Sequence, residues 1–502
     1  MYCHLGSFFS LVFNLFCALF LLFSSCLHAA GNASISGSGG EIKKNIIEHA
    51  KLASVTIEVE ISAYAHCSGS RKSAASGFVV DKKNGIICTN AHVVGWSCLP
   101  ESYFITFHDG KKVEAKALYY DVWQDLGFLK IDPKEIPSNV TQLLFAKPGA
   151  VKEGDRVFSI SNTERAAFSF NVGYLSSLYS AAGFMPQHSY VVNYNQVGGS
   201  SGAAVLNDHG QIVAVNFGGS QSYRLAVDSR YAQYLLKFIA QDQMPFRRHT
   251  GALLNFYSLS DAVRYRGFPK EISEKYVREN PLARGNVIEV ESFICGSPAS
   301  ESLRSGDIIW KINGAPVKAD LYTFDHQVNN AKEPVKLNVY RYGEGFIDVQ
   351  LDTYDVNKHR IKRIVDFCNA RFIEADCITA RYAGVKLGTV FCASAEVSSP
   401  FLLDRLGTYS DCGVECSFSI LEFNSRKILS LEHLIEFAQE MKKSKSVGFV
   451  LKTVSYFPYG VFSRVYSMAH DLFLKDIKLK NDFKLEVHEF SPKELRWIKT
   501  VK

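Results

Sequence analysis

The chain has 502 residues, of which 47% are hydrophobic and 21% charged, and it carries a net charge of +6. That length exceeds what one hydrophobic core serves and sets about three domains as the expectation. So small a charge excess leaves no electrostatic footprint for nucleic acid, and the basic residues of the tail from Lys475 to Lys502 are interleaved with acidic ones, as on a solvated face.

The first forty residues hold no Lys, Arg, Asp or Glu, and Phe8 to Phe23 is a nearly continuous apolar run. Small residues follow, "SSCLHAAGNAS", and then a Ser/Gly stretch. An apolar segment with a small-residue exit predicts a secretory signal peptide over 1–30, cut near Ala30, and a linker over 31–45. The usual basic n-region is missing, so two other outcomes stay open. Phe8 to Leu27 is about long enough to remain as a membrane anchor, and Cys26 could carry a lipid after cleavage. Each outcome exports the bulk of the chain, to a periplasmic or secreted location.

Twelve cysteines are present, three of them in this leader. The remaining odd number leaves at least one thiol unpaired within the chain. Cys67 with Cys98 and Cys412 with Cys416 are the candidate disulfides. No paired Cys-x-x-Cys units or His-x-x-x-His spacing suggests a zinc site.

From Ser54, "SVTIEVEIS" alternates apolar and polar residues with the period of a half-buried strand. Further short strands are predicted at "SGFVVD", "GIICTN", "YFITFH", "LGFLKID", "VFSISN", "SYVVNYN", "AAVLN" and "QIVAVNFGG". Turn residues separate them closely, which predicts an all-β barrel or sandwich rather than a wound α/β sheet. A helix, "DSRYAQYLLKFIAQ", closes this first region (46–243). "DQMPFRRHTG" then reads as a linker, so a chain cut near residue 245 is expected to fold and react alone. A second region, 251–353, reads strand, turn, short helix, strand and a closing strand pair. A third, 363–455, echoes it at a period of about 110 residues. The tail 456–502 has no assigned structure.

Residues 195–207 read "NQVGGSSGAAVLN", serines in a setting bare enough for backbone N–H groups to approach another atom closely. Acyl transfer by serine needs a base, a carboxylate to hold the base, and donors for the oxyanion. "CTNAHVV" places His92 just after a strand, and "YYDVWQDLGFLKI" places Asp125 directly before one. Ser201 lies in the glycine loop, where the N–H groups of Gly199 and Ser201 could converge on one oxygen. Each signal alone is weak, but the order His, Asp, Ser within one all-β region makes chance much less favourable.

The first region resembles the HtrA (DegP-like) family of chymotrypsin-fold serine proteases. The motifs stand here as "ASGFVV", "TNAHVV", "DLGFLKI" and "GSSGAAVLN", in the family's order over about 190 residues. The resemblance implies a double β-barrel protease domain with His92, Asp125 and Ser201 as catalytic triad. Ser200 falls where the family has Asn, and Asp121 and His66 lie off the motifs and read as structural. Ala203 and Ala204 replace the family's Gly and Pro, and "GGSSG" fits a divergent branch related to the nuclear HtrA proteins of fungi. Asn195 falls near the base of the specificity pocket and carries no charge, so a small or medium apolar P1 residue is expected. The second region resembles a PDZ domain through "GSPAS", "LRSGDIIWKINGAPV" and "VKLNVYRYGE", and the third a degenerate one. The fold class expected is therefore mainly β, a chymotrypsin-like double barrel followed by two PDZ-like α+β domains.

The function this implies is an exported, ATP-independent endopeptidase acting on unfolded or misfolded proteins, with PDZ modules taking peptide C-termini. No cofactor and no metal is expected, and the membrane enters only if the leader is retained or lipidated. The family resemblance implies trimers as the building unit. The alternative is a chaperone or scaffold that binds exposed termini with little or no proteolysis; the complete triad weighs against it.

Overall fold

The alternation at Ser54 is a strand, β1 (Ser54–Tyr64), whose Val55, Ile57, Val59 and Ile61 are buried. The computed structural model describes residues 42–64, 72–95, 98–163, 166–183, 185–194, 198–219, 223–332, 334–396, 398–403, 406–410, 413–456, 470–479 and 483–501. The leader, His66, Cys67, Asn195 and Cys412 lie outside the described residues. No described helix is long and apolar enough to cross a membrane.

With β1, the strands β2 (Lys72–Asp81), β3 (Ile86–Thr89), β4 (Cys98–Thr106), β5 (Lys112–Asp121) and β6 (Leu126–Lys130) close a six-stranded barrel in the order β1-β2-β3-β6-β5-β4. A second closed barrel joins β7 (Arg156–Thr163), β8 (Ala166–Ser180), β9 (Ser189–Val192), β10 (Ala204–Asn207), β11 (Ile212–Gly219) and β12 (Arg224–Asp228). The fold is thus mostly β, a chymotrypsin-like double barrel followed by further β-rich units. Three strands, β5, β8 and β12, escaped the sequence reading. In β8 Gly173 and Leu175 are buried while the larger Phe170, Val172 and Tyr174 are exposed, so apolar residues do not mark the inward face and the period-two pattern is blurred. The helix after β12 spans Ser229–Ile239 and starts at Asp228, whose side chain accepts the Arg230 N–H as a helix cap.

A third sheet runs Ala252–Ser258, Asn286–Phe293, Ile308–Ile312, Val335–Arg341, Gly345–Leu351, with the helix Leu321–Asn330 packed on it through Leu321, Phe324 and Val328. Ala252–Ser258 stands at one end of that order. A fourth sheet carries the helix Leu431–Ser444, which begins 110 residues after Leu321, close to the period read from sequence. The tail, for which no structure was predicted, supplies three of its strands: His470–Lys478, Leu485–Ser491 and Arg496–Val501.

The segment read as a linker is not one. Arg247, His249 and Thr250 are buried, and Arg248 and His249 pair with Asp355 and Tyr354. The hydrophobic core of the first barrel continues without a break into Leu253, Ile294, Val356 and Cys377. No apolar period announces this, because the buried side chains there are polar ones satisfied by distant partners.

Candidate active site

β3 ends at Thr89, and the chain turns through Asn90 into a single helical turn, Ala91–Val94, that carries His92. Gly95, at φ 102°, closes that turn in the left-handed region that glycine enters without strain. β5 ends at Asp121, and four residues later Asp125, at φ 50°, is the last turn residue before β6. The Asn90 side chain ties the two segments, its amide donating to the Asp125 carbonyl at 2.9 Å. Gly127 lets them approach: a Cβ there would lie 2.4 Å from the Asn90 carbonyl oxygen. The glycine of "DLGFLKI", where the resembling motif carries alanine, thus has a packing reason.

These contacts bring His92 and Asp125 together. Asp125 Oδ2 lies 2.8 Å from His92 Nδ1, while Oδ1 accepts the His92 backbone N–H at 3.0 Å. Asp125 is 2% exposed and the imidazole 26%. Burial pushes the imidazole pKa down, but the charge and hydrogen bond of Asp125 outweigh it and hold His92 above its ordinary value. A neutral His92 that donates its Nδ1 proton to Asp125 carries its lone pair on Nε2, the form that a general base needs.

Ser201 stands on the other barrel, three residues before β10. The link across is Ser76, a fully buried hydroxyl within β2. Its Oγ donates to the Gly199 carbonyl at 2.8 Å and accepts the Asn162 N–H at 2.7 Å. Its backbone N–H donates to the Ser201 carbonyl at 2.9 Å, and its carbonyl accepts the Thr89 hydroxyl at 2.8 Å. Thr89 is three residues before His92, so one buried serine fastens the serine loop beside the segment bearing the histidine. Gly202, at φ 85°, packs into this junction; a Cβ on it would meet Thr89 Oγ1 at 2.2 Å and the Ser76 carbonyl at 2.3 Å. Among the described residues no hydrogen bond runs from the Ser201 hydroxyl to His92. Ser200 is buried, and its carbonyl accepts the Ala203 N–H, whereas Ser201 is half-buried. Gly199 adopts φ 91°. Asn195, the expected pocket residue, lies outside the described residues.

Residues 75–215 match the trypsin-like peptidase domain. The chain is 31% identical over 362 residues to the pro-apoptotic serine protease NMA111 of Eremothecium gossypii, covering 69% of this chain and 36% of that one. It is 28% identical over 367 residues to NMA111 of Saccharomyces cerevisiae, covering 71% and 36%. This chain is HtrA-like. It spans little more than a third of the length of these curated relatives. Among solved structures, an HtrA-type protease, AlgW with tripeptide, superposes at a TM-score of 0.43 with 19% identity, over 62% of this chain and 95% of that one.

Sequence reasoning named the histidine, the aspartate and the serine, but gave no role to Ser76 or Asn90. A lone serine inside the apolar run "ASGFVV" and an asparagine at a strand end were the available signals. For Arg247 there was none.

Proposed function

We propose that the chain is an exported, ATP-independent serine endopeptidase that degrades unfolded or misfolded proteins. Ser201 Oγ attacks the scissile carbonyl, and His92 Nε2 takes its proton and later delivers it to the leaving amine. Asp125 keeps the imidazole in the tautomer with the proton on Nδ1 and stabilises the imidazolium as it forms. The N–H groups of Gly199 and Ser201 serve the oxyanion. The observation that carries the reading is the 2.8 Å contact between His92 Nδ1 and the buried Asp125, on the barrel facing the pinned serine loop.

Substrate chains are held by the second unit, a PDZ-like module. Among the described residues Ala252–Ser258 pairs with one neighbour, Asn286–Phe293, and so has an edge that an extended peptide end can extend. Assembly into trimers completes the proposal, on the strength of the family resemblance alone. Export rests on the apolar run Phe8 to Phe23 and its small-residue exit. Recovery of a mature protein starting near residue 31 outside the producing cell supports it, and an intracellular protein that keeps Met1 refutes it.

The test of catalysis is cleavage of casein by the wild-type protein and by Ser201→Ala. Activity should drop by several orders of magnitude, roughly 10⁶-fold by the subtilisin precedent. If Ser200→Ala abolishes activity and Ser201→Ala does not, the nucleophile is Ser200. If neither change matters, the endopeptidase reading fails.

A further inference from the structure

We propose that Arg247, which lies beyond both barrels, is a positioning residue for Asp125 and makes the hydrolytic site depend on the segment that leads into the second unit. The inference rests on the triad reading given above.

Asp125 occupies its place because of the turn that delivers it. Asp121 Oδ1 accepts the N–H groups of Trp123 at 2.9 Å and Gln124 at 3.1 Å, so one carboxylate oxygen shapes the backbone between β5 and Asp125. The other oxygen, Oδ2, accepts Arg247 Nε, and Arg247 Nη2 donates to the Gln124 side chain. Both partners of this ion pair are essentially removed from solvent, Asp121 at 0% and Arg247 at 2% side-chain exposure. The turn is gripped at a third point, where the Trp123 ring lies 3.5 Å from that of His249 and its indole N–H donates to the Pro186 carbonyl at 2.9 Å.

The arginine is itself fixed from the far side. Its carbonyl accepts the Val356 N–H at 2.8 Å, and Asn357 donates to the Pro245 carbonyl at 2.8 Å while accepting from the Tyr119 hydroxyl at 3.0 Å. His249, two residues on, faces Asp325 of the helix Leu321–Asn330 across 3.9 Å. A continuous set of buried polar contacts therefore runs from that helix to the turn presenting Asp125. Without Arg247, the Asp121 carboxylate is left buried with its main counter-charge gone, and it must turn toward water or take up a proton. Either response releases the turn, and displacement of a catalytic group by about 1 Å costs roughly 10²-fold in rate.

The experiment uses the full chain with Arg247→Met and the uncharged pair Asp121→Asn with Arg247→Gln, which leaves no lone buried charge and so keeps a folded protein available. Folding is followed by circular dichroism, and rates on a short peptide amide are normalised to sites titrated by a fluorophosphonate. The expected result for folded variants is a kcat lower by roughly 10²-fold with KM within about threefold. The acid limb of the pH–rate profile should also move to lower pH, because an ill-placed Asp125 no longer holds His92 up. Arg247→Lys, which keeps the charge but loses the second donor, should fall between. A purely structural role lowers the melting temperature and the folded fraction but leaves kcat per titrated site and the acid midpoint unchanged; that outcome in the uncharged pair overturns the proposal. Retention of activity by Ser201→Ala, or a wild-type profile without an acid limb, defeats the triad reading itself and this proposal with it.

Discussion

The hydroxyl of Ser76 donates to the carbonyl of Gly199, 123 residues further along the chain and on the other barrel. This bond, with the Asn162 N–H that the same oxygen accepts, holds the serine loop in register with the histidine segment. Ser76→Ala deletes both, taking the partner from a carbonyl and an N–H that are only partly buried, at no more than about 1–3 kcal/mol for each group. The expected outcome is a lower urea midpoint together with a kcat reduced at least tenfold, since the loop loses its anchor. Full activity in a destabilised variant would confine Ser76 to folding.

Gly202→Ala should be more damaging than its single methyl suggests. The new Cβ meets Thr89 Oγ1 at 2.2 Å and the Ser76 carbonyl at 2.3 Å, at a φ of 85° that alanine rarely adopts. Backbone must shift at the junction of the barrels, and overpacking of that kind costs about 1–3 kcal/mol or more. Fluorophosphonate labelling should be lost even where circular dichroism still reports folded barrels.

Gly127→Ala installs the residue that the resembling motif carries, and it should nonetheless destabilise. Its Cβ would lie 2.4 Å from the Asn90 carbonyl and 2.5 Å from Val94 Cγ2. Thermal melting gives the comparison; an unchanged melting temperature would show that the His92 turn can back away from β6 without loss.

Activity should rise with pH through the His92 pKa, because only the neutral imidazole accepts the serine proton. That pKa is held above the ordinary imidazole value by Asp125, so the acid midpoint should lie above about 6.5. The stability linkage has the opposite sense. A raised folded pKa means that the ion pair contributes fully below the unfolded value of about 6.5 and its contribution is lost as pH rises through the folded pKa. Asp125→Asn should bring the midpoint down and lower kcat by up to about 10⁴-fold. A flat rate profile between pH 5 and 8 in the wild type would contradict the assignment.

Asp325 supplies a stability change of its own. Burial pushes its pKa up to about 7, against the Tyr231 hydrogen bond and the charge of Arg247, which lower it. The folded state thus keeps a proton that the unfolded chain releases near pH 4, and stability should fall as pH rises from about 4 to 7, by at most about 1.4 kcal/mol per unit. Asp325→Asn retains an acceptor for the Tyr231 hydroxyl, which donates at 2.6 Å, and should flatten that slope in urea titrations at pH 5 and 7.

The residues themselves determined the local part of this protein. Period-two alternation in "SVTIEVEIS" specifies a strand because one face of it must leave water, and the motifs around His92, Asp125 and Ser201 sit where strands end and side chains can be presented. The helix at Asp228 was equally legible, since its cap is a contact within one turn. Tertiary structure decided everything that depends on partners far apart in the chain. Ser76 looks like any small residue in an apolar strand until the barrels bring Gly199, Ser201 and Thr89 around it. The stretch "FRRHTG" reads as an exposed linker by composition, yet Arg247 is buried because Asp121 neutralises it from 126 residues away. Local patterns report which face of an element is apolar; they carry no record of which buried charge meets which, because that pairing exists only once the chain has folded over itself.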